Sequence, residues 1–271
     1  MARKIIVLLT DFGNDFYVGQ IKGVIKSIYN NVEIIDLTHN IQPQNVVQAA
    51  VVIGESYRYF PKGSVFICVV DPGVGSKRDI ILVKKASYLF LAPNNGLLTK
   101  IIDSNCELYK VVNEKYFLKP TSSTFHGRDI FAPIAAYLAK GEKINNICKK
   151  LNIKYINFLS CFEIKTKTIN GRKHFIGKYL FHDSFGNVIT NLKKSILENK
   201  DYVIYVCYKN RKYYKLEIKR FYSEVKEKEL ISLVSSFGYI EIAENRGNAY
   251  QRFLKEFKNL SDVEFLLSEK I

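Results

Sequence analysis

The sequence predicts an α/β amino-terminal domain, with a mostly parallel sheet flanked by helices, followed by an all-β carboxyl-terminal domain that is antiparallel and barrel-like. Two observations support this fold class. In the first half of the 271 residues, continuous apolar runs alternate with apolar residues at helical spacing. From about residue 172, short runs rich in Tyr, Val and Ile alternate with turn residues. We expect the domains to span 1–160 and 172–271, with the boundary within 153–172.

The first domain opens with residues 4–9, which are nearly all Ile, Val and Leu and predict a strand buried on both faces. Apolar residues then recur at helical spacing from Val18 to Ile28, and Pro43 is expected to open a second helix. A third helix over 128–139 is expected to end at Gly141. The remaining predicted strands of this domain are 32–37, 64–70, 79–84 and 88–92, of which the last two form a pair.

The second domain is predicted from apolar and polar residues that alternate over short stretches, the pattern of strands with one face in a core. The turn Lys209-Asn210 separates two of these stretches. The expected strands are 174–181, 187–191, 202–208, 212–218, 230–235 and 239–244.

The chain carries 41 Lys and Arg against 26 Asp and Glu, a formal net charge of +15. Such a charge would attract a polyanion such as RNA. We favour a solvated lysine-rich surface, because the lysines interleave with acids, as in 224–229. No RNA-binding motif is recognisable. A non-catalytic adenosyl- or RNA-binding protein stays open as an alternative, and basic residues do cluster at Lys209, Arg211, Lys212, Lys215, Lys219 and Arg220.

Five scattered cysteines without CxxC spacing argue against a disulfide framework and against a zinc site. We therefore expect a reducing, cytoplasmic environment. No apolar run reaches the roughly 20 residues of a membrane-spanning helix. The short run over 4–9 predicts a buried strand and not a signal peptide, so no membrane association is expected.

Three loops carry side chains suited to chemistry, and ligands of α/β sheets bind beyond the carboxyl ends of the strands. Asp11 follows the first strand and could accept hydrogen bonds from a ribose diol, or form an Asx-turn or a helix cap. Asp71 and Arg78 flank a tight turn and could face one pocket or form a structural ion pair. His126 stands at the start of a helix, where a neutral imidazole is favoured; a hydrogen-bonded structural role is the alternative.

Six segments, each ordinary alone, occur together and in order. They are TDFG (10–13), VDPGVGS (70–76), APNNGLLT (92–99), TFHGRDIFAP (124–133), DSFGNVITN (183–191) and SSFGYIEIAENRGNA (235–249). Together they resemble the S-adenosylmethionine hydroxide adenosyltransferase family, a former domain of unknown function that is related to fluorinases and chlorinases. The resemblance runs from about residue 4 to residue 250.

The resemblance implies homotrimers whose active sites lie between the first domain of one subunit and the second domain of its neighbour. It implies hydrolysis of the small molecule S-adenosyl-L-methionine to adenosine and L-methionine, with no cofactor and no metal. By motif, the set that positions water is Asp71, Arg78 and His126. The implied substrate-binding residues are Asp11 at the ribose diol, Asn94, Asp183 at the methionine ammonium, Phe185 and Asn187 at adenine, Tyr222 as a second aromatic, and Ser236 at the methionine carboxylate.

A nucleophilic halogenase is the nearest alternative enzyme, and two departures from that branch favour water over halide. In the halogenating relatives, an aromatic residue and a halide-contacting serine stand where this chain has His126 and Gly127. Those relatives also carry a long insertion before the strand that here starts near Asp79. This chain has only three residues, 76–78, between Gly75 and that strand.

Overall fold

The computed structural model describes residues 4–169, 171–197 and 201–270, and it divides into two compact units. The first unit extends to Leu159 and the second begins at Ser160. The second unit starts before residue 172, because a strand at Lys165–Ile169 pairs with the strand that follows it. Among the described residues, no helix is long and apolar enough to cross a lipid bilayer.

The first unit has the predicted α/β class. Its strands are β1 (Ile5–Thr10), β2 (Glu33–Thr38), β3 (Val65–Val69), β4 (Ile80–Lys85), β5 (Tyr88–Pro93), β6 (Cys106–Val111) and β7 (Cys148–Lys150). Its helices are α1 (Phe16–Ile28), α2 (Val46–Ser56), α3 (Ala132–Lys140) and α4 (Ile144–Ile147). All five predicted strands are confirmed, whereas β6, β7 and the one-turn helix α4 are additional elements.

The sheet of the first unit has the strand order β2-β1-β3-β5-β4-β6-β7. The pairings of β1 with β2, β1 with β3 and β3 with β5 are parallel. The other three pairings are antiparallel. The parallel share is therefore smaller than expected, because the predicted β4–β5 pair is a tight hairpin that reverses the chain at Ala86, whose φ is 52°.

Both faces of this sheet are covered, as the apolar run of β1 predicts. Ile6 and Leu8 belong to a core cluster that includes residues of α1 and α3. Val7 and Leu9 belong to a second cluster that includes residues of α2. Because side chains alternate along a strand, a run buried on both faces has to be apolar at every position.

Helix α2 begins later than predicted. Pro43 does not open it, because Gln44 has a φ of 65°, which is outside the helical range. Asn45 is the cap instead, and its side chain accepts a hydrogen bond from the backbone N–H of Gln48. The predicted end of α3 is confirmed, since Gly141 has a φ of 111° directly after Lys140.

The second unit is a closed seven-stranded barrel, in agreement with the predicted all-β class. The strand order is β10-β14-β13-β12-β11-β15-β9, and the pairing of β9 with β10 closes it, with β8 attached to β9. The strands are β8 (Lys165–Ile169), β9 (Arg172–His182), β10 (Val188–Lys193), β11 (Tyr202–Tyr208), β12 (Arg211–Lys219), β13 (Leu230–Val234), β14 (Tyr239–Glu244) and β15 (Val263–Glu269). One pairing, β12 with β13, is parallel, because residues 220–229 carry the chain back across the barrel and do not form a hairpin.

The barrel core contains an element that the strand pattern did not predict. Helix α5 (Ala249–Phe257) places Ala249, Phe253 and Phe257 among the buried residues of the barrel. Strand β15 then returns with its alternate residues Val263, Phe265 and Leu267 in the same core. This completes the barrel between β11 and β9.

Candidate functional site

Asp11, Asp71 and His126 line one cavity of about 530 Å³ in the first unit. Asp11 directly follows β1 and Asp71 lies two residues after β3. These two strands are parallel neighbours, so their carboxyl ends meet at one edge of the sheet. His126 comes from the segment before α3. Three loops distant in sequence therefore contribute polar side chains to a single cavity.

The carboxylate of Asp11 is oriented by the chain that precedes α2. The backbone N–H of Gln44 donates a hydrogen bond to Asp11 Oδ2 over 2.8 Å. The cap of α1 is Asp15, whose Oδ1 accepts the N–H of Phe16. Because another residue caps the helix, the capping alternative for Asp11 is wrong.

Asp71 and Arg78 form an ion pair across the turn that follows β3. Asp71 Oδ1 also accepts the backbone N–H of Gly73 over 3.1 Å. A β-carbon on Gly73 would overlap the guanidinium of Arg78, so this glycine makes room for the ion pair. The acid is nearly buried and lines the cavity, and the guanidinium keeps 28% of its side chain exposed.

His126 directly precedes a π-helical turn, Gly127–Phe131, that leads into α3. The turn is braced by Asp129, whose carboxylate accepts two hydrogen bonds from Arg128 and one from the N–H of Ser122. Burial alone would raise the pKa of Asp129, but these donors outweigh it and hold the pKa below its ordinary value. The segment that carries His126 is therefore fixed at both ends.

Aromatic rings form one wall of the same cavity, a feature that the sequence did not reveal. Phe12, Tyr17 and Phe125 all line it. The rings of Phe12 and Phe125 are 5.9 Å apart and those of Tyr17 and Phe125 are 5.0 Å apart, both edge to face. The polar groups of the cavity thus face an apolar wall, which lowers the local dielectric and strengthens their electrostatic interactions.

Asn94 does not join this group. It is buried at the end of β5, where its Nδ2 donates to the carbonyl of Tyr155 over 2.8 Å. Its Oδ1 accepts the N–H of Asn157 over 2.9 Å. Both polar ends of the amide are therefore engaged in holding the 155–157 segment, and the geometry gives no support to the predicted substrate contact.

The remaining predicted residues lie together in the barrel. All five line a second cavity, of about 400 Å³, which we call the barrel cavity. They are Asp183, Phe185, Asn187, Tyr222 and Ser236. In the turn between β9 and β10, Asp183 accepts the N–H groups of Phe185 and Asn187 and the side-chain amide of Asn187. The residue predicted to bind the methionine ammonium is thus also the one that stabilises the turn.

Glu241 is a residue of this second cavity that the sequence analysis missed. It lies in β14 with 3% exposure and accepts the hydroxyl of Tyr222 at Oε1 over 2.7 Å. Burial raises the pKa of both Glu241 and Tyr222. The signal was present in SSFGYIEIAENRGNA, where a glutamate stands between two isoleucines in a predicted strand.

No group of three or more His, Cys, Asp or Glu side chains within residues 4–169, 171–197 and 201–270 is arranged to hold a metal ion.

The two units also match known domains. The model of the SAM hydroxide adenosyltransferase N-terminal domain matches residues 6–148, and the C-terminal model matches residues 177–257. A protein of Methanocaldococcus jannaschii named (R)-S-adenosyl-L-methionine hydrolase is 35% identical over 263 residues, which cover 90% of each chain. A protein of an Actinoplanes species named fluorinase is 31% identical over 73% of this chain and 74% of its own. A crystal structure of a conserved protein from Thermotoga maritima is 34% identical with a TM-score of 0.82, over 97% of this chain and 99% of that chain.

Proposed function

This chain belongs to the SAM hydroxide adenosyltransferase family, and we propose that it hydrolyses S-adenosyl-L-methionine to adenosine and L-methionine by attack of water on ribose C5′. The observation that carries the proposal is the convergence of Asp11, Asp71 and His126 on one cavity, with Arg78 paired to Asp71. The similarity to a protein named as a hydrolase of the same compound supports it.

The substrate is a sulfonium, so its sulfur leaves as a neutral thioether and needs no proton. The oxygen of water forms the new bond to C5′ while the C5′–S bond breaks and leaves its electron pair on sulfur. One proton of the attacking water passes to the enzyme and then to solvent. The protein has to supply alignment, worth about 7–11 kcal/mol in favourable cases, and an acceptor for that proton.

In this proposal Arg78 polarises the attacking water, and Asp71 anchors the guanidinium. Asp71 also accepts a hydrogen bond from the water, since it lines the cavity. His126 orients the water and accepts its proton when the imidazole is neutral. The apolar wall of the cavity raises the strength of these interactions over their value in bulk water.

Asp11 holds the ribose. Its Oδ2 already accepts the N–H of Gln44, which fixes the carboxylate plane and leaves Oδ1 for the diol hydroxyls. A fixed diol keeps C5′ in line with the water and the sulfur.

The barrel cavity holds the two ends of the substrate. Phe185 and Asn187 contact adenine, with Tyr222 as a second ring. Asp183 binds the methionine ammonium and Ser236 the methionine carboxylate. Exposed aromatic side chains beside acidic and hydroxyl groups suit a ligand that combines a flat base with an amino acid.

The complete site requires both cavities, and they belong to different units. We propose a homotrimer in which the first cavity of one subunit meets the barrel cavity of its neighbour. The five cysteines are free thiols, which supports a reducing cytoplasm as the compartment.

Halogenation is the second candidate, because the chain is also 31% identical to a fluorinase. The same cavity would then hold a halide in place of water. The pair His126-Gly127, where the halogenating relatives have an aromatic and a serine, favours water.

One incubation tests both candidates. The protein is mixed with S-adenosyl-L-methionine in ¹⁸O-labelled water, with and without chloride and with and without a chelator, and the products are analysed by chromatography and mass spectrometry. We expect adenosine with ¹⁸O at the 5′ oxygen, and methionine without label. 5′-Chloroadenosine would favour the halogenase, and the absence of both nucleosides would reject both candidates.

A further inference from the structure

Glu241 is a buried acid with one occupied and one free oxygen. Oε1 accepts the hydroxyl of Tyr222 over 2.7 Å. Within the described residues 4–169, 171–197 and 201–270, no group donates a hydrogen bond to Oε2. The residue is only 3% exposed, and it lines the barrel cavity. Because Oε2 has no donor among these residues and Glu241 lines the cavity, this oxygen is available to accept a hydrogen bond from a ligand.

The groups beside Glu241 form a connected polar row, which comprises Asp183, Asn187, Tyr222 and Glu241. The Nδ2 of Asn187 donates to Asp183 Oδ2 over 2.9 Å and lies 3.5 Å from the hydroxyl of Tyr222. The hydroxyl of Tyr222 donates a hydrogen bond to Glu241 Oε1. The donors of the polar row are thus used within it, and the row offers acceptors to a ligand.

Aromatic rings line the same cavity as this polar row. Phe185, Phe221 and Tyr222 line the same cavity and are 76%, 55% and 43% exposed. Large exposed rings beside a cavity provide faces on which a planar base can stack. Arg220 is the cation of the cavity lining. A flat heterocycle whose edge donates N–H groups therefore matches both the rings and the polar row.

We propose that Glu241 determines base specificity, with Oε2 accepting a hydrogen bond from the exocyclic amino group of a 6-aminopurine and rejecting a 6-oxopurine. The inference rests on the proposed function for the identity of the substrate and adds a residue that selects its base. A 6-oxo group would set its carbonyl oxygen against the carboxylate oxygen, and both acceptors would stay unpaired. The donated O–H of Tyr222 and the amino group of the base both favour the carboxylate over the carboxylic acid.

The test uses the full-length protein with two nucleosides, adenosine and inosine, and with S-adenosyl-L-methionine and its 6-oxo analogue. Affinities come from calorimetry and rates from product chromatography. A site built to pair a polar group rejects an analogue without it strongly, so we expect the wild type to favour the 6-amino compounds by about 100-fold or more. If the wild type binds adenosine and inosine equally, or binds neither, the inference is overturned without any variant.

The Glu241→Gln variant separates recognition from support of the fold. The glutamine amide can donate to a 6-oxo group, so the preference for the 6-amino compounds should fall by about tenfold or more. Glu244→Gln is the matched control, because Glu244 lies on the same strand but pairs with Arg252 over 3.0 Å. An unchanged ratio in Glu241→Gln, with both compounds weakened alike, would overturn the inference.

If the proposed hydrolysis is wrong but the base-specificity inference is right, the same experiments give a different result. In that case the wild type would still bind adenosine more tightly than inosine but would release no adenosine from S-adenosyl-L-methionine. The binding preference would then support the specificity inference alone.

Discussion

The imidazole of His39 lies with Nδ1 2.8 Å from the hydroxyl oxygen of Thr10, the residue that precedes Asp11. The carbonyl oxygen of His39 accepts the N–H of Gly13 over 2.7 Å. His39 thus holds the Asp11 loop at both ends, from the segment that follows β2. On the far side of the ring, Nε2 lies 3.1 Å from Oδ1 of Asp36.

We expect His39→Ala to raise the KM for S-adenosyl-L-methionine by about tenfold, because the lost hydrogen bond loosens the loop that orients Asp11. The effect on kcat should be smaller, since the proposed water-positioning groups lie on other loops. Steady-state kinetics measures both values. His174→Ala, which removes a ring bonded to Ser268 in the barrel, is the control and should keep the wild-type KM. A KM as low as that of the wild type in a folded His39 variant would contradict this role.

Arg78→Ala should lower kcat by about 100-fold or more while changing the KM little, because a guanidinium that polarises the nucleophile acts mainly in the transition state. Arg78→Lys keeps the charge but loses the planar fork, so it should recover only part of the rate. Comparison of kcat and KM in the three proteins provides the measurement. Equal losses in binding and turnover would assign Arg78 to ground-state binding.

His126→Ala should reduce adenosine release by about 100-fold or more, the usual scale for a lost proton acceptor. Added imidazole should restore part of the rate, because the side chain lies on an open cavity that a small base can enter. Rates are measured with and without imidazole at constant pH. Wild-type turnover in His126→Ala would remove this residue from the mechanism.

Two inactive variants test whether each active site combines two subunits. Asp71→Asn disables the first cavity and Asp183→Asn disables the barrel cavity. If subunits mix at random, each shared site finds both intact halves in about a quarter of cases. Co-expressed variants should therefore regain about a quarter of the wild-type activity. Activity that stays at the level of the single variants would place a complete site within one chain.

Glu241 should make stability depend on pH. Burial raises its pKa above the ordinary value of 4.5 in the folded state. The contribution of Glu241 to the free energy of unfolding is therefore present in full below pH 4.5. It is lost as the pH rises through the raised pKa of the folded state. Glu241→Gln removes this loss, so the Tm of the variant relative to the wild type should increase between pH 4.5 and pH 8.

Thermal unfolding of both proteins across this range measures the trend. Glu244→Gln breaks the ion pair with Arg252 and should be destabilised at both ends of the range. A constant difference in Tm between Glu241→Gln and the wild type would refute the pH dependence.

The sequence predicted those elements of the fold whose signal is local. The run over 4–9 is apolar at every position because both of its faces are covered, and that pattern is visible without any partner. The elements that were missed depend on their surroundings. Strand β7 has three residues and exists through its pairing with β6. Helix α5 has a polar outer face, and its apolar side chains are explained by the barrel core around them.

The candidate site shows the same division. Asp11, Asp71 and His126 could be selected from the sequence because each follows a strand or precedes a helix. Asn94 met the same criterion, but its amide is engaged by residues about sixty positions later, a contact that no local pattern encodes. Glu241 was missed for the opposite reason, since a glutamate within an alternating strand is expected to face solvent. It lies on the face opposite to the barrel-core residues Ile240 and Ile242, where it is buried and bonded to Tyr222, a contact that no local pattern encodes.

The space beside Gly73 limits which residues can stand at this position of the loop. The guanidinium of Arg78 fills the volume that a methyl group at position 73 would take. Alanine there would require the guanidinium to shift from its present position beside Asp71, while every polar group of the loop stayed in the chain. A protein could thus keep its acid, guanidinium and imidazole while their arrangement changes. When relatives are sorted into active and inactive, the residue at position 73 should therefore be compared together with the functional groups.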